Sequence, residues 1–157
     1  MAKFKANELL EFAIRIEENG ETFYKDMAWK NNNEKIKELF NYLADEETKH
    51  KDTFKSMLEK IEDYEPMEAY PDEYFLYLRE YADEHIFNDT NNLSKKIESL
   101  KTDLEILDFA VTIEKDSILY YMEMKNLVSS NDKNVIENII QEERMHYRKL
   151  VEIKKLL

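Results

Sequence analysis

The chain has 157 residues, with one glycine, two prolines, no cysteine and a formal charge of −12. Average usage would supply about eleven glycines and eight prolines at this length, so turn-rich β folds are excluded, and with Gly20 alone no glycine-rich phosphate loop exists. The absent cysteines exclude disulfides, zinc ribbons, cysteine-ligated clusters and thiol nucleophiles, and 35 acidic against 23 basic residues argue against nucleic acid and anionic membrane surfaces as partners. At 43% hydrophobic and 12% aromatic the chain has enough apolar material for a single folded domain over 1–157. No apolar run approaches ~18 residues and residues 1–14 carry no secretory signature, so a cytoplasmic protein is expected.

Turn signals are few: Asn31, Asn32 and Asn33, then 66–71, 88–92 and 129–132. They divide the chain into a first helix at 6–30, a second at 34–62, an inserted helix at 72–87, one or two helical turns over 93–100, and long helices at 103–128 and 132–156. Thr102 followed by Glu105 is a capping box at the start of the 103–128 helix. The predicted fold is an all-α antiparallel four-helix bundle: two hairpins, about 6–62 and 103–156, joined by a long crossover, 63–102, that carries the extra helix. Tyr64, Tyr70, Tyr74, Phe75, Tyr77, Tyr81 and Phe87 make that segment aromatic, suited to packing on the bundle or to a dimer surface, with substrate access as the alternative. His85, beside Asp83 and Glu84, is expected at the surface.

Each long helix has an apolar seam at alternating three- and four-residue steps, and each seam is interrupted by one glutamate. The first runs Leu10, Ala13, Glu17, Gly20, Tyr24, Met27, and the second Ile36, Phe40, Leu43, Glu47, His50, Phe54, Met57, Ile61. The 103–128 helix gives Leu104, Leu107, Val111, Glu114, Ile118, Tyr121, and the last gives Ile136, Ile139, Glu143, His146, Leu150, Ile153, Leu157. Residues three apart share a helix face, so Glu47 with His50 and Glu143 with His146 can each aim at one point. The pattern is an internal repeat: Ala13, Glu17, Phe23 and Tyr24 align with Ala110, Glu114, Tyr120 and Tyr121, while Leu43, Glu46, Glu47 and His50 align with Ile139, Glu142, Glu143 and His146.

Four carboxylates converging in a bundle core repel one another and lose solvation unless something neutralises them. Two divalent cations would do so, and an oxygen-rich set with one imidazole per metal suits iron or manganese better than structural zinc. The competing reading places the four glutamates on solvated faces and the two histidines in a metal-free core. Tyr24 and Tyr121, two turns beyond Glu17 and Glu114, are candidates to hydrogen-bond the site carboxylates across the bundle; the alternative is two core tyrosines bonded elsewhere. Glu21 is a reserve ligand, and Glu18, Glu46 and Glu142 are expected to be solvated or outer hydrogen-bond partners.

With Glu17, Tyr24, Glu46–Glu47 and His50, Glu114 with Tyr120 and Tyr121, and Glu142–Glu143 with His146 in place, the sequence resembles the ferritin-like superfamily, and most closely the rubrerythrin family. The resemblance implies a dinuclear non-haem iron site, manganese being possible, that reacts with peroxide or dioxygen. In that scheme Glu17 and Glu114 are terminal ligands, Glu47 and Glu143 bridge, and His50 and His146 each bind one metal. Ser117 stands where rubrerythrins carry an extra glutamate, leaving a symmetric set like that of bacterioferritin or oxygen-activating di-iron enzymes. No rubredoxin-like cysteines are present, so a separate electron-donor protein is expected, and Thr48 replaces the haem-ligating methionine of bacterioferritins, so no haem is expected. The chain ends eleven residues after His146, which disfavours a storage cage with a fifth helix. The leading expectation is a homodimeric di-iron peroxidase or oxidase; the alternatives are a ferroxidase or iron-handling protein, a di-iron hydroxylase, and a metal-free interaction module.

Overall fold

A computed structural model describes residues 6–60, 72–85 and 90–157. Among these are six α-helices and no strand: α1 Ala6–Lys30, α2 Glu34–Lys60, α3 Asp72–His85, α4 Thr90–Ser99, α5 Asp103–Lys125 and α6 Ser130–Lys154. No helix of the described residues is long and apolar enough to cross a membrane. The expected turn at 66–71, the expected helix ends at 61–62 and 86–87, and Tyr64, Tyr70 and Phe87 lie outside the described residues, as does the side chain of His85.

Local chemistry sets the breaks. Asn33 receives the backbone N–H groups of Lys35 and Ile36 at 3.0 and 3.3 Å and so caps α2. Asn31 donates to Asp103 at 2.9 Å, which ties this turn to the start of α5. Thr102 and Glu105 form the expected capping box, each accepting from the other's backbone. Three boundaries of the long helices differ from the sequence reading, the last helix ending at Lys154 rather than 156. The long fifth helix stops at Lys125 rather than 128, because the N–H of Asn126 turns back to Glu123 and Met124, and α6 begins at Ser130 rather than 132. The turns expected over 93–100 are the later part of a ten-residue helix that starts at Thr90, inside the asparagine-rich stretch read as a turn.

Side-chain pairs fix the helix directions. Phe23 meets Phe40 and Glu21 meets Lys51, so α1 and α2 are antiparallel. Lys125 meets Glu137 and Lys154 meets Asp108, so α5 and α6 are too. Between the hairpins, α1 opposes α5 through Asn31–Asp103 and a bond from the Tyr120 hydroxyl to the Leu9 carbonyl, while α2 faces α6 through His50–Glu142 and Tyr42–His146. These pairings make α2 and α5 parallel, and parallel helices cannot be joined by a short turn.

The core falls into two apolar clusters. One gathers Leu9, Leu10, Ala13, Phe54, Tyr120, Met124, Ile136 and Ile140, and Phe75, Leu78 and Ala82 of α3 belong to it. The other gathers Phe23, Met27, Phe40, Leu43, Leu107, Phe109 and Leu150, with Leu93 and Ile97 of α4. Thus α3 packs on the long helices, and Tyr74 donates to Glu123 at 2.5 Å and Tyr81 to the Asp116 carbonyl at 3.0 Å. The α5 seam is not the one periodicity suggests. Leu104 is 48% exposed, Val111 and Ile118 are half-buried, and Phe109, Ala110, Ser117 and Tyr120 are buried instead. On α6, Leu157 is likewise exposed and lies past the helix end.

Leu78 is 1% exposed, so Leu78→Ala should cost about 2–5 kcal/mol in urea unfolding. A loss below ~0.5 kcal/mol would mean that α3 does not pack as described.

Candidate metal centre

Glu17, Glu47, His50, Glu114, Glu143 and His146 are all buried, at 0–3% exposure. They come from α1, α2, α5 and α6 and lie between the two apolar clusters. Helical spacing explains the convergence: one glutamate on α1 and α5, and a glutamate–histidine pair on α2 and α6, interrupt otherwise apolar seams, and packing those seams inward carries them along. Ligand-type atoms of Glu17, Glu47, His50 and Glu143 lie within 4.8 Å of one another, as do those of Glu47, Glu114, Glu143 and His146. Glu47 and Glu143 belong to both sets.

Both histidines turn Nδ1 inward. His50 Nδ1 is 2.8 Å from Glu143 Oε1 and 3.6 Å from Glu17 Oε1, and His146 Nδ1 is 3.6 Å from Glu143 Oε1 and 3.9 Å from Glu114 Oε2. The two imidazoles stack with centroids 5.8 Å apart. Tyr24 donates to Glu114 Oε1 at 2.6 Å, and Tyr121 donates to Glu17 Oε1 at 2.5 Å. Each bond links α1 to α5, in opposite directions. Burial first, and then the partner carboxylate, push both phenols well above their usual range, so they stay protonated and donate.

The electrostatics are those of a site short of positive charge. Burial, then the neighbouring Glu143, raise Glu17 from 4.5 to about 7 and Glu114 well above the ordinary carboxylate range. Burial pushes Glu143 up too, but Glu114, His146 and His50 beside it hold it below that range. Burial opposes a charged His50, yet Glu143 and Glu17 outweigh it and lift the imidazole to about 12. A group of buried acids thus stabilises any cation offered, here a proton. Several buried atoms of the cluster also lack a directed hydrogen bond: Glu17 Oε2, Glu114 Oε2, both oxygens of Glu143, His50 Nδ1 and both nitrogens of His146. Buried polar atoms are normally satisfied, and an oxygen-rich donor set with two imidazole nitrogens suits iron or manganese. The residues fit a divalent metal pair.

The outer residues divide. Glu142 Oε2 is 2.5 Å from His50 Nε2, so it is an outer partner and orients that ring. Its place immediately before Glu143 in a glutamate–glutamate pair was the only sequence signal for this. Glu46 pairs with Lys49, and Glu18 approaches Lys55. Glu21 is not a member of the cluster. It bridges Lys25 and Lys51, and although partial burial raises its pKa, those two ammonium groups dominate and hold it at about 2. Sequence reasoning missed Tyr42, whose ring meets His146 edge-on at 6.1 Å beneath Lys149.

An all-α chain that buries two overlapping glutamate–histidine sets between antiparallel helices falls in the class of helical carboxylate proteins able to hold metal in the core. The family model for rubrerythrin matches residues 8–154, and the chain belongs to the rubrerythrin family. A crystal structure from Thermotoga maritima, described as a ferritin-like diiron-carboxylate protein, is 32% identical, with a TM-score of 0.72, over 99% of this chain and 97% of that one. A hypothetical protein from Pyrococcus furiosus has the same fold, with 22% identity and a TM-score of 0.67 over 98% of this chain and 90% of that one. No curated protein sequence matches.

The raised Glu17 pKa sets a pH dependence for the metal-free protein. Between 4.5 and about 7 the folded chain holds a proton that the unfolded chain has released, so stability falls as pH rises through that window. His50, raised from 6.5 to about 12, acts with the same sign above 6.5. The urea midpoint of chelator-treated protein should therefore be lower at about pH 7.5 than at about pH 5. An equal or higher midpoint would contradict these environments.

Proposed function

We propose that this protein is a non-haem di-iron carboxylate oxidoreductase of the rubrerythrin type, reducing peroxide or dioxygen in the core of a ferritin-like four-helix bundle whose long crossover carries α3. The observation that supports this reading is the double membership of Glu47 and Glu143 in the two buried ligand-type sets. In it Glu17, His50 and the shared pair hold one ion, and Glu114, His146 and the shared pair hold the other. Two adjacent iron ions, or manganese in their place, would there supply two electrons together to an O–O bond.

The chain's own residues do the rest. Tyr24 and Tyr121 keep one oxygen of Glu114 and of Glu17 engaged and so fix how each carboxylate faces the centre. Glu142 does the same for the His50 ring. The apolar clusters on either side exclude water, which strengthens every charge interaction between them. Thr48, whose hydroxyl returns to the Ala44 carbonyl at 3.0 Å, has no thioether to offer a haem iron, and the reading includes no haem. Electrons come from a separate donor protein, and the exposed Leu76, Tyr77, Leu119 and Met122 of α3 and α5 suit a homodimer contact. Ser117, with its hydroxyl turned back to the Ile113 carbonyl, adds no carboxylate to the six buried glutamates and histidines of the two sets among the described residues, and this favours ferrous-iron oxidation and handling, or di-iron hydroxylation, as the second reading.

Metal analysis of protein made with ample iron should give about two ions per chain, and His50→Ala should lose about half of them. Full occupancy in that variant would remove His50 from the ligand set, and no metal in the parent would remove the di-iron reading. The ferrous protein should be reoxidised by peroxide at least ~10-fold faster than by air-saturated buffer, a difference of about 1.4 kcal/mol in barrier. The reverse order would favour the second reading.

A further inference from the structure

The chain's one glycine lies in the middle of α1, where glycine is a poor helix former. It supplies no turn: no glycine or other described residue has a positive φ. Gly20 is buried against α2, and a Cβ built on it would meet Glu47 Cδ at 3.0 Å, Oε2 at 3.2 Å and Cγ at 3.4 Å. The three nearest atoms all belong to Glu47, one of the two carboxylates shared by both ligand-type sets. At the matching place in the repeat, α5 carries Ser117, also small, with its hydroxyl bonded to its own helix.

We propose that Gly20 is the positioning residue for Glu47: the side chain it lacks is the space that lets the Glu47 carboxylate lie between the two halves of the centre. The inference rests on the di-iron reading above. An alanine can be accommodated only if the carboxylate end of Glu47 moves by a few tenths of an ångström or more. Without metal that end is a flexible side chain and can yield. With metal it has one place to be. The helix-weakening glycine is therefore retained for the site and against local helix stability.

The test is Gly20→Ala, read by metal content and by melting with and without manganese(II). The metal-free variant should melt as high as the parent or up to about 2–4 °C higher, the gain expected from removing a helix-interior glycine. The manganese-induced rise in Tm should fall by at least half, and bound metal should drop from about two ions per chain towards one or none. Equal gains with and without manganese, at unchanged metal content, would overturn the proposal. If the parent itself takes up no metal and shows no rise, the di-iron reading fails first, and the positioning role with it. Gly20→Ala combined with Glu47→Ala separates contact from general packing, because the Cβ then has room. The alanine should give its full gain of about 2–4 °C in that background, and a loss there, or failure of both variants to fold, would overturn the proposal.

Discussion

Burying four carboxylates in a space shared with only two imidazoles is the constraint around which the molecule is organised. Left alone, such a group would expel itself from the core, since each ionised carboxylate loses its hydration and faces its neighbours' charge. The protein meets part of the demand with protons. Glu17 and Glu114 are shifted so as to keep theirs, His50 is shifted so as to stay charged, and Glu143 is shifted so as to remain ionised. The two phenols add hydrogen bonds to single carboxylate oxygens, and several other buried atoms of Glu17, Glu114, Glu143 and the two histidines lack directed partners. That pattern is what a cation site requires: bases near one another, held apart by their own helices, with little besides protons to neutralise them.

Most of this was readable from the sequence because it depends on short-range periodicity. The second helix needed nothing else: Ile36, Phe40, Leu43, Glu47, His50, Phe54 and Met57 are all buried, as their spacing predicts. The fifth helix defeated the same method. It has apolar residues on every side, so Leu104 and Val111 looked as good as Phe109 and Ala110, and only packing against its neighbours decides between them. The helix at Thr90–Ser99 was underestimated because its opening asparagines signal a turn, whereas Leu93 and Ile97, one turn apart, anchor it to the core. Contacts between helices distant in sequence, such as Glu142 with His50 or Tyr42 with His146, have no local signature.

The inner and outer parts of the centre differ in symmetry. Inside, the repeat is obeyed: two glutamates, two glutamate–histidine pairs and two tyrosines are exchanged by the same operation. Outside, it is broken. His50 is held from behind by Glu142, whereas the matching Glu46 pairs with Lys49 and His146 presents its outer edge to Tyr42. Gly20 and Ser117 break it again. A candidate ligand set that looks two-fold is thus embedded in surroundings that are not, and its two halves have unlike supports.

The tyrosine bonds also govern how the hairpins can move. Tyr24 reaches from α1 to Glu114 on α5, and Tyr121 reaches from α5 to Glu17 on α1. Because each bond has one partner in either hairpin, sliding one hairpin along the other by a helical turn would pull both hydroxyls off their acceptors together. Neither bond could be regained without returning to the original register. The pair therefore works as a two-way index, restricting the halves to one setting while leaving small hinge-like breathing between them open.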